Sequence, residues 1–360
     1  MRNLKILYAG SPLPSSIVLK NLIELGSGRG YEIVAVLTNP PSPRGRHKEL
    51  IPTEVAQVAQ EHGIPVLAFD HLLAEAREAV APLGADLLVS FDYGRIFGEK
   101  FLALFPLGGI NLHPSALPKY RGCTPVPAAI LNGDKTFGIA VQKLALKMDE
   151  GDILAQASVP LDGTETTGWL MDGDGTHSTV TDEGTKLIDG VLTAIVATAS
   201  EDSAAGTNAD SRINAGTDAK VDANADGVAK TPFSLPPATP QTGDTSYTPF
   251  IKKEDGIIDW KKSAAEIDRQ IRAYTPWPLC TTSCNGTNLL IIKAHPATDG
   301  AHVTEPAGTV LPYRKAVGIE IACGDGSVLV ATELQWQAKK AMDYKSFMNG
   351  ARNFIGSVLD

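Results

Sequence analysis

Asn111 and His113 stand two residues apart at the end of an apolar run, Gly108-Gly-Ile-Asn-Leu-His113. A proline-bearing loop, Pro114-Ser-Ala-Leu-Pro-Lys-Tyr-Arg121, follows them directly. On a strand, residues i and i+2 face the same side, so the carboxamide and the imidazole would share one surface. An amide N–H can stabilise a developing oxyanion. Histidine can move a proton near neutral pH. The pair lacks an orienting group. A carboxylate turn, Met148-Asp-Glu-Gly-Asp152, lies downstream between two strand-like runs, and Asp149 is the residue that can orient His113. By spacing alone, a histidine after a strand is more often a hydrogen-bonded structural residue.

The elements that would position these groups follow from periodicity. Continuous apolar runs ("KILYAG", "YEIVAVLT", "IPVLAF", "ADLLVSF", "GGINLH") alternate with amphipathic ones ("SSIVLKNLIELG", "TEVAQVAQEHG", "HLLAEAREAVAPLG"). That alternation predicts an α/β domain over 1–200, with a mostly parallel sheet covered on both faces. Ligands of such sheets sit beyond the carboxyl ends of the strands, where Asn111 and His113 fall. Residues 136–160 predict two strands flanking the Asp149 turn, and "DGDGTHSTVT" reads as an insertion near 171–181 between two helical stretches. Residues 201–243 are rich in Ala, Asp, Gly, Asn, Thr and Pro, which predicts a flexible low-complexity linker. Removing 201–240 is accordingly expected to leave activity unchanged. From 244 to 360, a helix ending before Pro276 and short strands separated by Gly, Asp and Asn predict a small β-barrel.

Composition narrows the class. An apolar fraction of 43% over 360 residues suits two domains with real cores. No apolar run reaches the length of a membrane span. The opening "MRNLKILYAG" reads as a first strand and not as a leader, so a cytoplasmic protein is expected. The four cysteines, Cys123, Cys280, Cys284 and Cys323, make no disulfide scaffold, and Cys280-x3-Cys284 lacks a second pair at zinc spacing. Asp172, Asp174, Thr176, Ser178 and Glu183 match calcium-loop spacing. His177, however, stands where the loop's sharp turn needs glycine, and no metal is expected. Of the net charge of −9, the stretch 171–243 carries −7, so the remainder is nearly neutral and can hold a local basic patch.

"INLHPSALPKYRG" followed by "MDEGDI" resembles the folate-dependent formyltransferases, in which Asn-x-His opens a Ser-Leu-Leu-Pro-like loop and an Asp-x-Gly-Asp turn follows. The stretches at 8–12, 38–66, 160–168, 252–278 and 333–342 are similar to the branch of that family that acts on charged initiator tRNA. The resemblance covers most of 1–170 and 245–360 and breaks over about 171–243. It implies a Rossmann-like catalytic domain and an OB-like C-terminal barrel. It also implies formyl transfer from 10-formyltetrahydrofolate to the α-amino group of methionyl initiator tRNA, with Asn111, His113 and Asp149 catalytic. The pterin would lie along Gly94, Arg95, Ile96 and Phe97, beside Ser115, Ala116, Leu117 and Pro118. Arg44, Arg46, His47 and Lys48 would reach the tRNA acceptor stem, and six lysines of the C-terminal domain (252, 253, 261, 262, 339, 340) could track phosphates. A monomer is expected. Ala116 replaces a commoner leucine, and Cys123 stands where the family usually has a smaller residue. Alternatives sharing the donor remain open: a formyltransferase for a sugar-nucleotide or ribonucleotide amine, a 10-formyltetrahydrofolate hydrolase, or a folate- or RNA-binding protein without activity.

Overall fold

The computed structural model describes residues 2–44, 48–205, 231–351 and 353–360, with the side chains of Arg44 and of 200–205 left out. In chain order the strands are β1 (Leu4–Ala9), β2 (Tyr31–Thr38), β3 (Ser42–Arg44), β4 (Glu49–Ile51), β5 (Val66–Ala68), β6 (Leu87–Ser90), β7 (Gly109–His113) and β8 (Arg121–Gly122). Then come β9 (Thr136–Lys143), β10 (Ile153–Pro160), β11 (Tyr247–Thr248), β12 (Cys280–Cys284), β13 (Thr287–Pro296), β14 (Ile319–Ala322), β15 (Val328–Trp336) and β16 (Met342–Asp343). The α-helices are α1 (Leu13–Gly26), α2 (Glu54–Glu61), α3 (Ala74–Val80), α4 (Glu99–Leu102), α5 (Pro125–Asn132), α6 (Thr167–Met171), α7 (Thr179–Ala205), α8 (Ala264–Ala273) and α9 (Tyr344–Gly350).

Contacts divide the chain into two units, one of 1–121, 138–158 and 171–246, the other of 122–137, 159–170 and 247–360. The second unit therefore takes in α5, which the sequence places in the catalytic domain. The reason is local packing: α5 lies against α8, and Arg269 Nε donates to the Leu131 carbonyl at 3.0 Å.

The first unit is built on a seven-stranded sheet of order β10-β9-β7-β6-β1-β2-β5. From β7 through β6, β1 and β2 to β5 the strands are parallel, whereas β9 runs antiparallel to β7. The parallel strands are apolar without alternation because both faces are covered, and Leu7, Leu37, Leu87 and Leu88 are fully buried. Ala9, Leu37, Ser90 and Asn111 lie in register across β1, β2, β6 and β7. The loops after those four strands thus leave one edge of the sheet together. Leu112, alternating with Asn111 and His113, points to the opposite face, where α7 packs so closely at Gly184 that a Cβ there would come within 2.4 Å of a Leu112 methyl.

The second unit holds the antiparallel order β12-β13-β15-β14, with β16 on β15. The chain ends close this sheet. Ser283 and Asp360 exchange both backbone hydrogen bonds, Val310 N–H reaches Ser357 O, and Leu311 N–H reaches Glu320 O. Following the bonds from β12 through the C-terminal tail, residues 308–311, β14, β15 and β13 leads back to β12. This closed ring is the small barrel the turn-rich pattern predicts, with Leu289, Ile291, Ile319, Ile321 and Leu329 fully buried.

The stretch read as a linker is structured at both ends. Helix α7 runs to Ala205. From residue 231 the chain returns along it: Ser234 N–H donates to Thr198 Oγ1 at 3.0 Å, and Phe233 is buried beneath the Arg2 guanidinium, 5.3 Å from the ring centroid. Thr239 then bridges Ile153. Residues 206–230 lie outside the described ones. The tolerated deletion is thereby narrowed. Replacing 206–230 by a short Gly-Ser linker is expected to keep activity within about twofold and Tm within a few degrees, because loop-closure entropy varies slowly with length. Thermal unfolding and steady-state rates check it. No described helix is long and apolar enough to cross a membrane.

Candidate active site

Asn111 and His113 occupy the last positions of β7, at the strand where the sheet changes from parallel to antiparallel pairing. His113 is buried at 4% exposure, and its Nε2 lies 2.9 Å from the Tyr120 carbonyl oxygen. A carbonyl only accepts, so Nε2 carries a hydrogen and donates it. The other nitrogen, Nδ1, faces Asp149 Oδ1 at 3.7 Å. Asn111 is half-buried beside them, and its side chain makes no hydrogen bond among the described residues.

Gln142 stands directly opposite Asn111 on β9, so both side chains share the face that carries His113. It is 1% exposed and donates from Nε2 to Asp149 Oδ1 at 2.7 Å. The Asp149 turn folds back over that face. Asp149 has φ of 54°, a region that aspartate tolerates better than most residues. Gly151 passes so close to Lys143 that a Cβ would come within 1.8 Å of its carbonyl oxygen. The glycine of the Asp-x-Gly-Asp pattern is thus a packing requirement.

The loop after β7 is fixed by its own bonds. Ser115 is buried, its N–H bonds His113 O at 2.8 Å, and its hydroxyl donates to Lys119 O at 2.7 Å. Leu117 is buried, Pro118 half-buried and Ala116 exposed. The loop crosses β9 at Gly138, where a Cβ would meet Ala116 N at 2.3 Å. Gly138 shares the face of Gln142, two steps along the strand.

The loop after β6 leaves the same sheet edge. Arg95 donates from Nε to Asn39 Oδ1, and Asn39 in turn donates to Ser11 Oγ and the Tyr93 carbonyl at 2.9 and 3.1 Å. Gly94 takes φ of 76°. Ile96 is 76% exposed and is free to cover a flat ligand. Phe97 is not: it is 6% exposed, its ring stacked between Tyr93 and Phe101 at 5.4 and 5.8 Å. The structure therefore puts Gly94, Arg95 and Ile96 at the edge and Phe97 in the core. Burial of the Tyr93 hydroxyl pushes it up to about 12.

The hairpin β3–β4 leaves this edge after β2. Arg44 pairs with Glu49 through the backbone, and Lys48 is exposed at the turn with φ of 52°. Arg46 and His47 lie outside the described residues, as does the Arg44 side chain. The calcium-like loop serves another purpose. Asp174 Oδ1 accepts from Thr176 Oγ1, His177 N–H and Thr176 N–H, which hold its carboxyl down to about 2. Among the described residues no His, Cys, Asp and Glu cluster could hold a metal.

Spacing alone could not bring out Gln142 and Gly138. Each carried a usable signal, an amide inside a buried strand and a glycine interrupting one.

Residues 4–175 match the family model described as formyl transferase, and residues 250–352 match the formyl transferase C-terminal domain. The chain is similar to the methionyl-tRNA formyltransferase of Treponema denticola, 37% identical over 98% of both chains. It is also similar to that of Bacillus subtilis, 33% identical over 99% of this chain and 97% of the relative. The fold is shared with an N-formyltransferase from Helicobacter canadensis solved with folinic acid and dTDP-3-aminofucose, at TM-score 0.55 and 17% identity over 91% of this chain and 98% of that one.

Proposed function

The chain belongs to the methionyl-tRNA formyltransferase family, and from that premise we propose that Asn111, His113 and Asp149 transfer the formyl group of 10-formyltetrahydrofolate to the α-amino group of methionyl initiator tRNA. The observation that carries the reading is His113 Nδ1 facing Asp149 Oδ1 at 3.7 Å on the face that bears the unengaged Asn111 amide.

The free amine attacks the formyl carbon, a C–N bond forms, and the carbonyl oxygen becomes anionic. Asn111 is the group with an unspent donor for that oxygen. The C–N10 bond then breaks, the carbonyl reforms, and tetrahydrofolate leaves with a proton on N10. The proton must pass from the attacking amine to N10, and His113 supplies the relay. Its Nε2–H is spent on Tyr120 O, so Nδ1 is the atom that handles the proton, with Asp149 orienting the ring. The gap of 3.7 Å exceeds a hydrogen bond, and such contacts tighten when substrate binds. No covalent enzyme intermediate is required, so the exposed Cys123 has no part in the step.

The self-bonded loop 113–121 supports a role in seating the donor with little ordering entropy. Gly94, Arg95 and Ile96 on the neighbouring loop, beside Ser115, Ala116, Leu117 and Pro118, would take the pterin end. The hairpin with Arg44, Arg46, His47 and Lys48 would contact the acceptor stem, through phosphate charges whose contribution falls with salt. The six exposed C-terminal lysines would offer further phosphate contacts.

The test is formyl transfer from 10-formyltetrahydrofolate to charged initiator Met-tRNA, run beside charged elongator Met-tRNA and a control without tRNA. Formylation of the initiator alone supports the reading. Formate release in the control would assign a hydrolase instead, and silence in all three would refute the tRNA substrate.

A further inference from the structure

We infer that Gln241 is a positioning residue of the transfer site: its carboxamide, oriented by Arg121, holds the Asp149 turn in place against His113. The inference rests on the roles given above to Asn111, His113 and Asp149.

The bonds around Gln241 have only one possible direction. A guanidinium donates and never accepts. Arg121 Nε and Nη2 lie 3.0 and 2.7 Å from Gln241 Oε1, so that atom is the amide oxygen and the NH2 group points the other way. There it donates to the Asp149 and Gly151 carbonyls at 2.8 and 2.7 Å, and it lies 3.1 Å from Gln142 Oε1. Backbone carbonyls only accept, which agrees with the same orientation. Gln142 is oriented in turn. With its oxygen toward Gln241, its NH2 group donates to Asp149 Oδ1 at 2.7 Å. That same Oδ1 faces His113 Nδ1.

Arg121 is 9% exposed and Gln142 1%. Reversing either amide would put two acceptors or two donors together in a buried setting, which costs far more than the same error in water. Gln241 therefore fixes both the backbone of the Asp149 turn and, through Gln142, the side chain that turn presents. It does so from 92 residues further along the chain, inside the segment 201–243 whose composition reads as a linker. The mutual backbone bonds of Thr239 and Ile153, both 2.8 Å, set its approach.

Four variants test the inference: Gln241→Met, which keeps the shape and removes the donors; Gln241→Glu, which keeps the Arg121 contact but turns acceptors toward two carbonyls; and each of these combined with Asp149→Asn. In Gln241→Met, kcat is expected to fall about 10- to 100-fold, with KM for both substrates within about threefold, because misplacing a catalytic group by about 1 Å costs on that order. Gln241→Glu should lose at least as much. In the Asp149→Asn background the same change should cost less than about threefold, since a residue acting through Asp149 has nothing further to lose. A merely structural role would give additive losses. Amide hydrogen exchange of the 144–153 segment should quicken in Gln241→Met while that of β1 stays unchanged.

Near-normal kcat in Gln241→Met, additivity with Asp149→Asn, or unaltered exchange at 144–153 would each overturn the proposal. Failure of the unsubstituted protein to formylate tRNA would refute the substrate assignment. The exchange measurement needs no substrate and would still decide whether Gln241 holds the turn.

Discussion

His113→Ala is expected to lower kcat by about 10³-fold, within the range that proton-transfer groups contribute, with KM for both substrates little changed. The loss falls on kcat because the imidazole acts on the proton in transit and not on the bound substrates. The substitution also has a structural cost. It removes the Nε2–H donor to the Tyr120 carbonyl and empties a site of 4% exposure. Losing a buried hydrogen bond costs about 0.5–1.5 kcal/mol, and the emptied space adds to it. Spread over a chain of this size, that is a Tm drop of a few degrees. Activity loss and stability loss are separated by His113→Gln, whose amide can reach the Tyr120 carbonyl without relaying a proton. It should recover much of the Tm and none of the rate. Turnover within tenfold of the unsubstituted protein in either variant would remove His113 from the mechanism.

What the sequence made legible, and what it did not, divides along a physical line. The parallel strands and their helices were readable because burial on both faces and on one face leaves different periodicities, as in Tyr31–Thr38 against Glu54–Glu61. Asn111 and His113 could be placed on one face because a strand fixes that from spacing alone. Asp149 could be nominated from its turn, but its approach to His113 depends on the turn folding back over β9, which spacing does not encode. The different exposure of Ile96 and Phe97 was illegible for a related reason. Ile96 and Phe97 are adjacent apolar residues in an irregular loop, and only tertiary packing decides that one is 76% and the other 6% exposed. Gln241 left no trace at all. It sits among Pro, Thr and Gly residues, and its three acceptors belong to segments joined only by the fold. Composition measures whether a stretch can bury apolar surface. It says nothing of a single amide that bonds three carbonyl oxygens.

Asn111→Asp is expected to be the most damaging isosteric change in the site, lowering kcat by more than about 10³-fold. Loss of one oxyanion donor costs about 10² to 10³ in kcat, which sets the expectation for Asn111→Ala. The aspartate variant loses the same donor and adds negative charge where negative charge must develop, in a half-buried position where water screens it poorly. It changes shape hardly at all. The native side chain makes no hydrogen bond among the described residues, so neither substitution breaks a bond that holds β7 to its neighbours. Stability should therefore stay close to that of the unsubstituted protein, in contrast to His113→Ala. The comparison of the two Asn111 variants is the informative part. If the site meets a developing oxyanion, aspartate must be worse than alanine, with KM for the folate donor nearly equal in both. If the two variants lose the same activity, Asn111 contributes by filling space or ordering the loop at Pro114, and the oxyanion must be held by another donor.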